Sequence, residues 1–183
     1  MNKELDEKLV KKFPKLFRDR YAPMTETCMC WGFECGDGWY NILESLCESI
    51  QYYIDRTRKD RARNLRYNRA LKRAFEGNTD SLEKYHTIGT SEKAREYAKE
   101  MVKKTMSNEY TQYRDVSEAC PQVVVTQVKE KYGGLRFYYN GGDECVDAMV
   151  DVAESMASKT CEVCGAPAAV GNGKMYVTCE KHA

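Results

Sequence analysis

The chain has 183 residues, about the length of one domain. Its 42% apolar and 31% charged content exclude a disordered polymer. A net charge of +1, from 29 Lys and Arg against 28 Asp and Glu, excludes a uniformly basic polyanion binder but leaves a local patch open. Nine cysteines against two histidines is the unusual feature. The charged opening Met1–Asp6 lacks the apolar stretch of a secretory signal. No apolar run approaches the ~20 residues that span a bilayer. The expected setting is the cytoplasm, with no membrane association, where thiols stay reduced. Cysteines there read as metal ligands, packing groups or reactive thiols before disulfides.

In chain order, residues 2–13 place Leu5, Leu9, Val10 and Phe13 on one helical face, and Pro14 interrupts the run. Residues 22–36 read as irregular and hold Cys28, Cys30 and Cys35. Asp37 is the expected N-cap of a core helix carrying Trp39, Ile42, Leu43, Leu46, Ile50, Tyr53 and Ile54. That helix runs on into residues 56–73, where nine basic residues face the single acid Asp60. A local +8 in a chain of +1 leaves −7 for the remainder, so the near-neutral total hides a strong asymmetry. Residues 77–90 read as a loop, and 91–106 as a helix with Ala94, Tyr97, Ala98, Met101 and Val102 on one side. The stretch 51–115 is the least core-like and reads as a basic helical insertion.

Residues 122–130 are β-branched-rich, Gly133-Gly134 supplies a two-residue turn, and Leu135–Tyr139 returns as a second strand. Asp143 then caps a helix over 144–158 with Cys145, Val146, Met149, Val152, Ala153 and Met156 at helical spacing. The expected fold class is α+β: helices packed on a small antiparallel hairpin, with a C-terminal zinc ribbon. Residues 1–158 form the core and 159–183 the ribbon.

The chain ends in Cys161-x2-Cys164, fourteen residues, then Cys179-x2-His182. Each pair sets two ligand atoms on one side of a tight turn, and Gly165 supplies the residue with positive φ that such a knuckle needs. A spacer centred on Gly171, Asn172 and Gly173 fits a short hairpin. Three thiolates and one imidazole fill a tetrahedral Zn2+ shell and leave no position for a reactive water, so the expected role is structural. Cys28, Cys30, Cys35 and Cys47 have poor ligand spacing and read as packing thiols ahead of a second metal site or a redox sensor. Cys120 and Cys145 also read as packing residues.

Catalytic templates are missing. Once His182 is a ligand, His86 is the remaining histidine, and no phosphate-cradling glycine motif occurs. The leading expectation is a non-catalytic binding protein that engages a host protein or a phosphate-bearing ligand. Arg58, Arg61, Arg66 and Arg69, with Arg136 and Tyr138 of the aromatic hairpin, are its candidate contacts. A nucleic-acid-binding regulator using the helix 56–73 is the alternative. A metal-dependent enzyme using Glu34, Asp37 and Asp143 is a further one. Nothing in the pattern fixes an oligomeric state.

Three blocks carry a resemblance: Cys30–Tyr40 (CWGFECGDGWY), Gln127–Tyr138 (QVKEKYGGLRFY) and Cys161–Pro167 (CEVCGAP). In this order they resemble a family of small proteins of tailed phages and scattered bacterial genomes that ends in a zinc-knuckle-like pair. The resemblance covers the first ~55 and last ~65 residues and skips the basic middle. It implies a phage or prophage accessory protein in the cytoplasm of a bacterial host, where such proteins commonly modulate a host component, host defence included.

Overall fold

A computed structural model describes residues 1–168 and 176–182. Two compact units make up the chain: Met1–Asp55 with Cys120–Ala183, and Arg56–Ala119. Among the described residues there are five helices and one three-stranded sheet, an α+β protein. None of the described helices is long and apolar enough to cross a membrane.

The first unit opens with α1 (Lys3–Lys12), capped by Asn2, whose side chain accepts from Leu5 N. The sheet consists of β1 (Phe33–Glu34), β2 (Val124–Lys131) and β3 (Gly134–Asn140), in that order. β2 and β3 are an antiparallel hairpin with an irregularity between Val125 and Gln127. β1 adds in parallel, with Phe33 opposite Val128. The hairpin turn differs from the expected Gly133-Gly134. Lys131 pairs with Gly134, so the central residues are Tyr132 at φ 53° and Gly133 at φ 78°. Two positive φ angles in succession match the right-handed strand twist, which outweighs the cost of a left-handed tyrosine.

The long helix α2 (Tyr40–Phe75) gives its first part to this unit, burying Leu43, Leu46, Cys47, Ile50 and Ile54 against Leu9, Phe17, Val128, Leu135 and Val146. A polar clamp sits beside that core. Arg20 donates to both Asp6 oxygens, at 3.2 and 2.9 Å, and to Cys30 O at 3.0 Å, while Phe33 N donates to Asp6 at 3.4 Å.

The helix that closes the unit (Glu144–Ala157) is capped as expected, with Asp143 accepting from Cys145 N and Val146 N. Val146, Val150, Ala153 and Ala157 are buried, whereas Cys145, Val152 and Met156 are exposed. The apolar residues read as one stripe therefore divide between two faces, and Cys145 is not a packing residue. Arg136 ties β3 to this helix by donating to Glu154 at 3.0 Å, and Phe137 N donates to the other oxygen at 3.0 Å.

The second unit has its own small core of Tyr67, Ala70, Leu71, Ala74, Leu82 and Val102, with Tyr85 against it. It contains the rest of α2, α3 (Asp80–His86) and α4 (Glu92–Ser107). α3 corrects the loop expected over 77–90: Leu82 is fully buried and anchors a short helix that polar residues and glycine flank. The last helix, Glu144–Ala157, is α5 in chain order. The irregular segment after α4 is strapped along α2. Asn68 exchanges two 2.8 Å bonds with the backbone of Arg114, Asn64 donates to Asp115 O at 2.9 Å, and Arg61 donates to Ser117 O at 2.8 Å. The Arg114 guanidinium lies 4.0 Å from the Tyr67 ring centre.

Candidate metal centre

Cys161, Cys164, Cys179 and His182 lie together, with one ligand atom from each within 4.8 Å of all the others. Local backbone chemistry builds the first half. Gly165 N donates to Cys161 O at 2.8 Å, closing the turn through Gly165 at φ 75°, and Cys161 N donates to Ala166 O at 2.7 Å. The second half is a 3₁₀ turn, Glu180–His182, with His182 N donating to Cys179 O at 3.0 Å. The expected hairpin around Gly171–Gly173 lies outside the described residues.

Cys179 Sγ is 3.3 Å and Cys161 Sγ 3.6 Å from His182 Nδ1, and Cys164 Sγ is 3.7 Å from Cys179 Sγ. That sulfur–sulfur distance is far beyond a disulfide bond. Cys161 and Cys179 are buried, while Cys164 and His182 are exposed. Burial pushes the Cys161 thiol up, but the amides of Cys164, Cys179 and Val163 and the His182 ring outweigh it, bringing it down to about 6. The Ala166 amide pulls the Cys164 thiol down, yet desolvation and the two facing thiols leave it raised. The surroundings of Cys161 favour its thiolate, the form that ligates a metal ion, and the quartet can bind such an ion.

The knuckle is seated on a glycine-rich segment more than a hundred residues away in sequence. Gly36 N donates to Glu162 Oε1 and Gly38 N to Glu162 O, both at 2.7 Å. Trp39, fully buried, donates its indole N–H to Thr160 O at 2.8 Å. A Cβ on Gly38 would fall 2.2 Å from Cys161 O, and one on Gly36 would fall 2.3 Å from Glu162 O. Asp37 is not the N-cap expected of it. It opens a 3₁₀ turn, Asp37–Trp39, that precedes α2 and has Gly36 at its N-cap, and its side chain accepts from Asn2 N at 2.6 Å and Asn2 Nδ2 at 2.7 Å. Sequence reasoning missed Gly36, Gly38, Trp39 and Glu162 as supports of the centre. The two glycines flanking Asp37 were the available signal.

Among the described residues, the C-terminal quartet is the group able to hold a metal; Cys28, Cys30 and Cys35 are not gathered in this way, nor are Glu34, Asp37 and Asp143. Burial pushes the Cys35 thiol up to about 12 and raises that of Cys47 too, as packing thiols behave. Cys120 is buried. Glu34 accepts from Gln127, and Asp143 accepts from Tyr53 OH besides capping α5. His86 has a buried Nε2 with no hydrogen-bond partner among the described residues, and burial lowers its pKa.

The candidate contact residues fall into distinct settings. Arg61 is engaged with Ser117 O and, at 3.1 Å, Glu118. Arg136 is engaged with Glu154. Tyr138 is 41% exposed beside Lys129, along a cavity of about 390 Å3 lined by Met24, Thr27, Cys28 and Thr126. Arg58, Arg66 and Arg69 are exposed on α2. No family model matches the chain, and neither does any curated protein or solved structure.

Proposed function

We propose that this is a non-catalytic, zinc-stabilised binding protein of phage type that acts on a host component in the bacterial cytoplasm through the arginine row of α2. The observation that carries the reading is the state of Arg66 and Arg69. Both are exposed, they lie three residues apart on one helix face, and neither has an acidic partner among the described residues. Arg73 extends the row and donates to Ser81 Oγ at 3.0 Å. Unpaired guanidinium groups in a row suit bidentate recognition of phosphate oxygens. The sequence blocks that resemble tailed-phage proteins supply the host context.

Zinc is supported by the dimensions of the quartet. A tetrahedral ion with Zn–S near 2.3 Å and Zn–N near 2.05 Å needs ligand edges of about 3.8 Å between sulfurs and about 3.6 Å between sulfur and nitrogen. The separations of 3.7, 3.6 and 3.3 Å lie close to those edges before any ion pulls the ligands in. With four protein ligands the ion's role is to fix the knuckle, and the phosphate ligand is held elsewhere by arginine.

One observation favours nucleic acid as the phosphate-bearing ligand. From Arg66 to Arg73 the row extends about 10 Å at 1.5 Å per residue, which reaches more than one phosphate of a strand. The test titrates the full chain with fluorescent single-stranded and duplex DNA, RNA, and a labelled nucleotide at two salt concentrations. Binding that weakens with salt and disappears in Arg66→Glu/Arg69→Glu, at unchanged zinc content and melting temperature, is the expected result. Undiminished binding by that variant, or no binding to any probe, overturns the arginine row as the working surface. Metal analysis giving no zinc in a folded chain overturns the zinc assignment.

A further inference from the structure

We propose that the groove between the first part of α2 and α5 is a docking site for a basic amphipathic helix of a partner protein. It belongs to the first unit and shares no residue with the arginine row. The groove has a volume of about 540 Å3, with Ile42, Leu46, Met149 and Ala153 in its lining and Val152 and Met156 along the α5 side. Val152 is 60% exposed and Met156 53% exposed. These residues lie on the apolar face of α5 that the core leaves uncovered. Asn41, Ser45, Ser49 and Ala148 complete the lining. Such short side chains let another backbone approach closely. Methionines on the lining adapt to a partner's side chains, as on other helix-binding grooves.

Charge identifies the occupant. From its cap to its end α5 carries Asp143, Glu144, Asp147, Asp151 and Glu154, with no lysine or arginine. Three of these are used internally: Asp143 caps the helix, Asp147 accepts from Tyr139 OH and Glu154 binds Arg136. Glu144 and Asp151 are exposed, form no ion pair among the described residues and sit four before and three after Ala148, one helical turn from the lining. On α2 the exposed Glu48 precedes Ser49 of the lining and faces Lys12 at 3.5 Å. An apolar floor with acidic edges complements a helix with an apolar stripe flanked by Lys or Arg. A second copy seated two-fold on this face would set two acidic α5 rows against each other, which disfavours self-association.

The test uses the full zinc-loaded chain and a fluorescent model peptide of about 14 residues, the length of α5, with leucines along one face and lysines beside them. Its controls are the same stripe flanked by glutamates and a scrambled leucine/lysine peptide. The expected result is binding of the leucine/lysine helix that is stronger by about tenfold or more than that of either control. Val152→Asp should weaken it by a similar factor. That substitution adds an acid, so the loss reports apolar contact rather than charge, and its exposed position leaves the melting temperature unchanged. Glu144→Lys/Asp151→Lys should weaken binding too and flatten its salt dependence. Equal binding of the glutamate or scrambled peptide, or indifference to Val152→Asp, overturns the proposal. So does a sedimentation dimer that Val152→Asp dissolves, which would make a second copy the occupant. Displacement of a small apolar dye with no peptide binding would make the groove a small-molecule site and overturn it as well.

Discussion

The amide of Gly38 lies 2.7 Å from the carbonyl oxygen of Glu162, and this bond helps join the segment before the core helix to the metal knuckle. It requires glycine, because a Cβ there would fall 2.2 Å from Cys161 O and 2.5 Å from Gly165 N, and both are backbone atoms that cannot swing aside. Gly38→Ala should therefore cost about 3 kcal/mol or more, as overpacking against backbone does. In a chain of this size that is a drop of about 10 °C in melting temperature. It should also shed zinc at lower chelator concentrations. Gly77→Ala is the control. Gly77 sits at φ 96° with nothing within 4 Å of the added carbon, so only the backbone conformation resists, at about 1 kcal/mol. Equal losses in the two variants would show that the close approach at Gly38 does not matter.

Metal removal has a built-in reporter. Of the two tryptophans, Trp39 is fully buried and hydrogen-bonded to Thr160 O next to the first ligand, whereas Trp31 is 56% exposed. Chelation should loosen the knuckle, admit water to Trp39 and shift the fluorescence maximum to longer wavelength. Zinc should reverse the shift at about one ion per chain. Cys161→Ser should show the shifted spectrum without chelator. Trp39→Phe should abolish the response, because the exposed Trp31 already reports water.

The ligand quartet was legible because its chemistry is local: two Cys-x2-(Cys/His) pairs each need only one turn. Its support was not, because Gly36 and Gly38 meet Glu162 across more than 120 residues and no periodicity marks such a pairing. β1 escaped for a related reason. Its two residues, Phe33 and Glu34, are a strand only by virtue of Val128 and Lys129 beside them. On α5 the helical period was plain, yet period alone cannot say that Val146 and Val150 face a core while Val152 and Met156 face a groove. The arginine stretch was visible as charge, but that Arg61 is engaged, while Arg66 and Arg69 have no acidic partner among the described residues, depends on where Ser117 and Glu118 lie.

Asp6 is 7% exposed and receives two bonds from Arg20. Removing the acid strands a guanidinium among Cys30, Gly32 and Phe33. Asp6→Ala should cost about 3–5 kcal/mol, the usual result of breaking a buried pair from one side. Asp6→Ala/Arg20→Met should recover a substantial part of that loss, since no charge is left unpaired. Urea unfolding of the two variants decides the matter. A double variant no more stable than the single one would show that the clamp's geometry, rather than its charge balance, holds α1 to the 3₁₀ turn Cys28–Trp31.

A surface cluster on the same unit should shape the pH dependence of stability. The Asn2 backbone amide, helped by its side chain, holds Asp37 below the usual carboxylate range. The Tyr40 hydroxyl, 2.8 Å away, and Lys12 do the same for Glu44. Groups with depressed pKa values bind fewer protons folded than unfolded, so they stabilise the fold above their ordinary values near 4 and that contribution disappears as the pH falls through the folded values. Lys12 is displaced the other way, raised chiefly by its bond to Glu44. Its contribution is complete below its ordinary value near 10.4 and disappears as the pH climbs through the raised one. Asp37→Asn/Glu44→Gln should therefore flatten the fall in stability below about pH 4, and the lost Glu44 partner should flatten the alkaline fall as well. Denaturant midpoints measured from pH 3 to 11 test both limbs. Parallel curves for variant and parent would show that neither carboxylate is linked to folding.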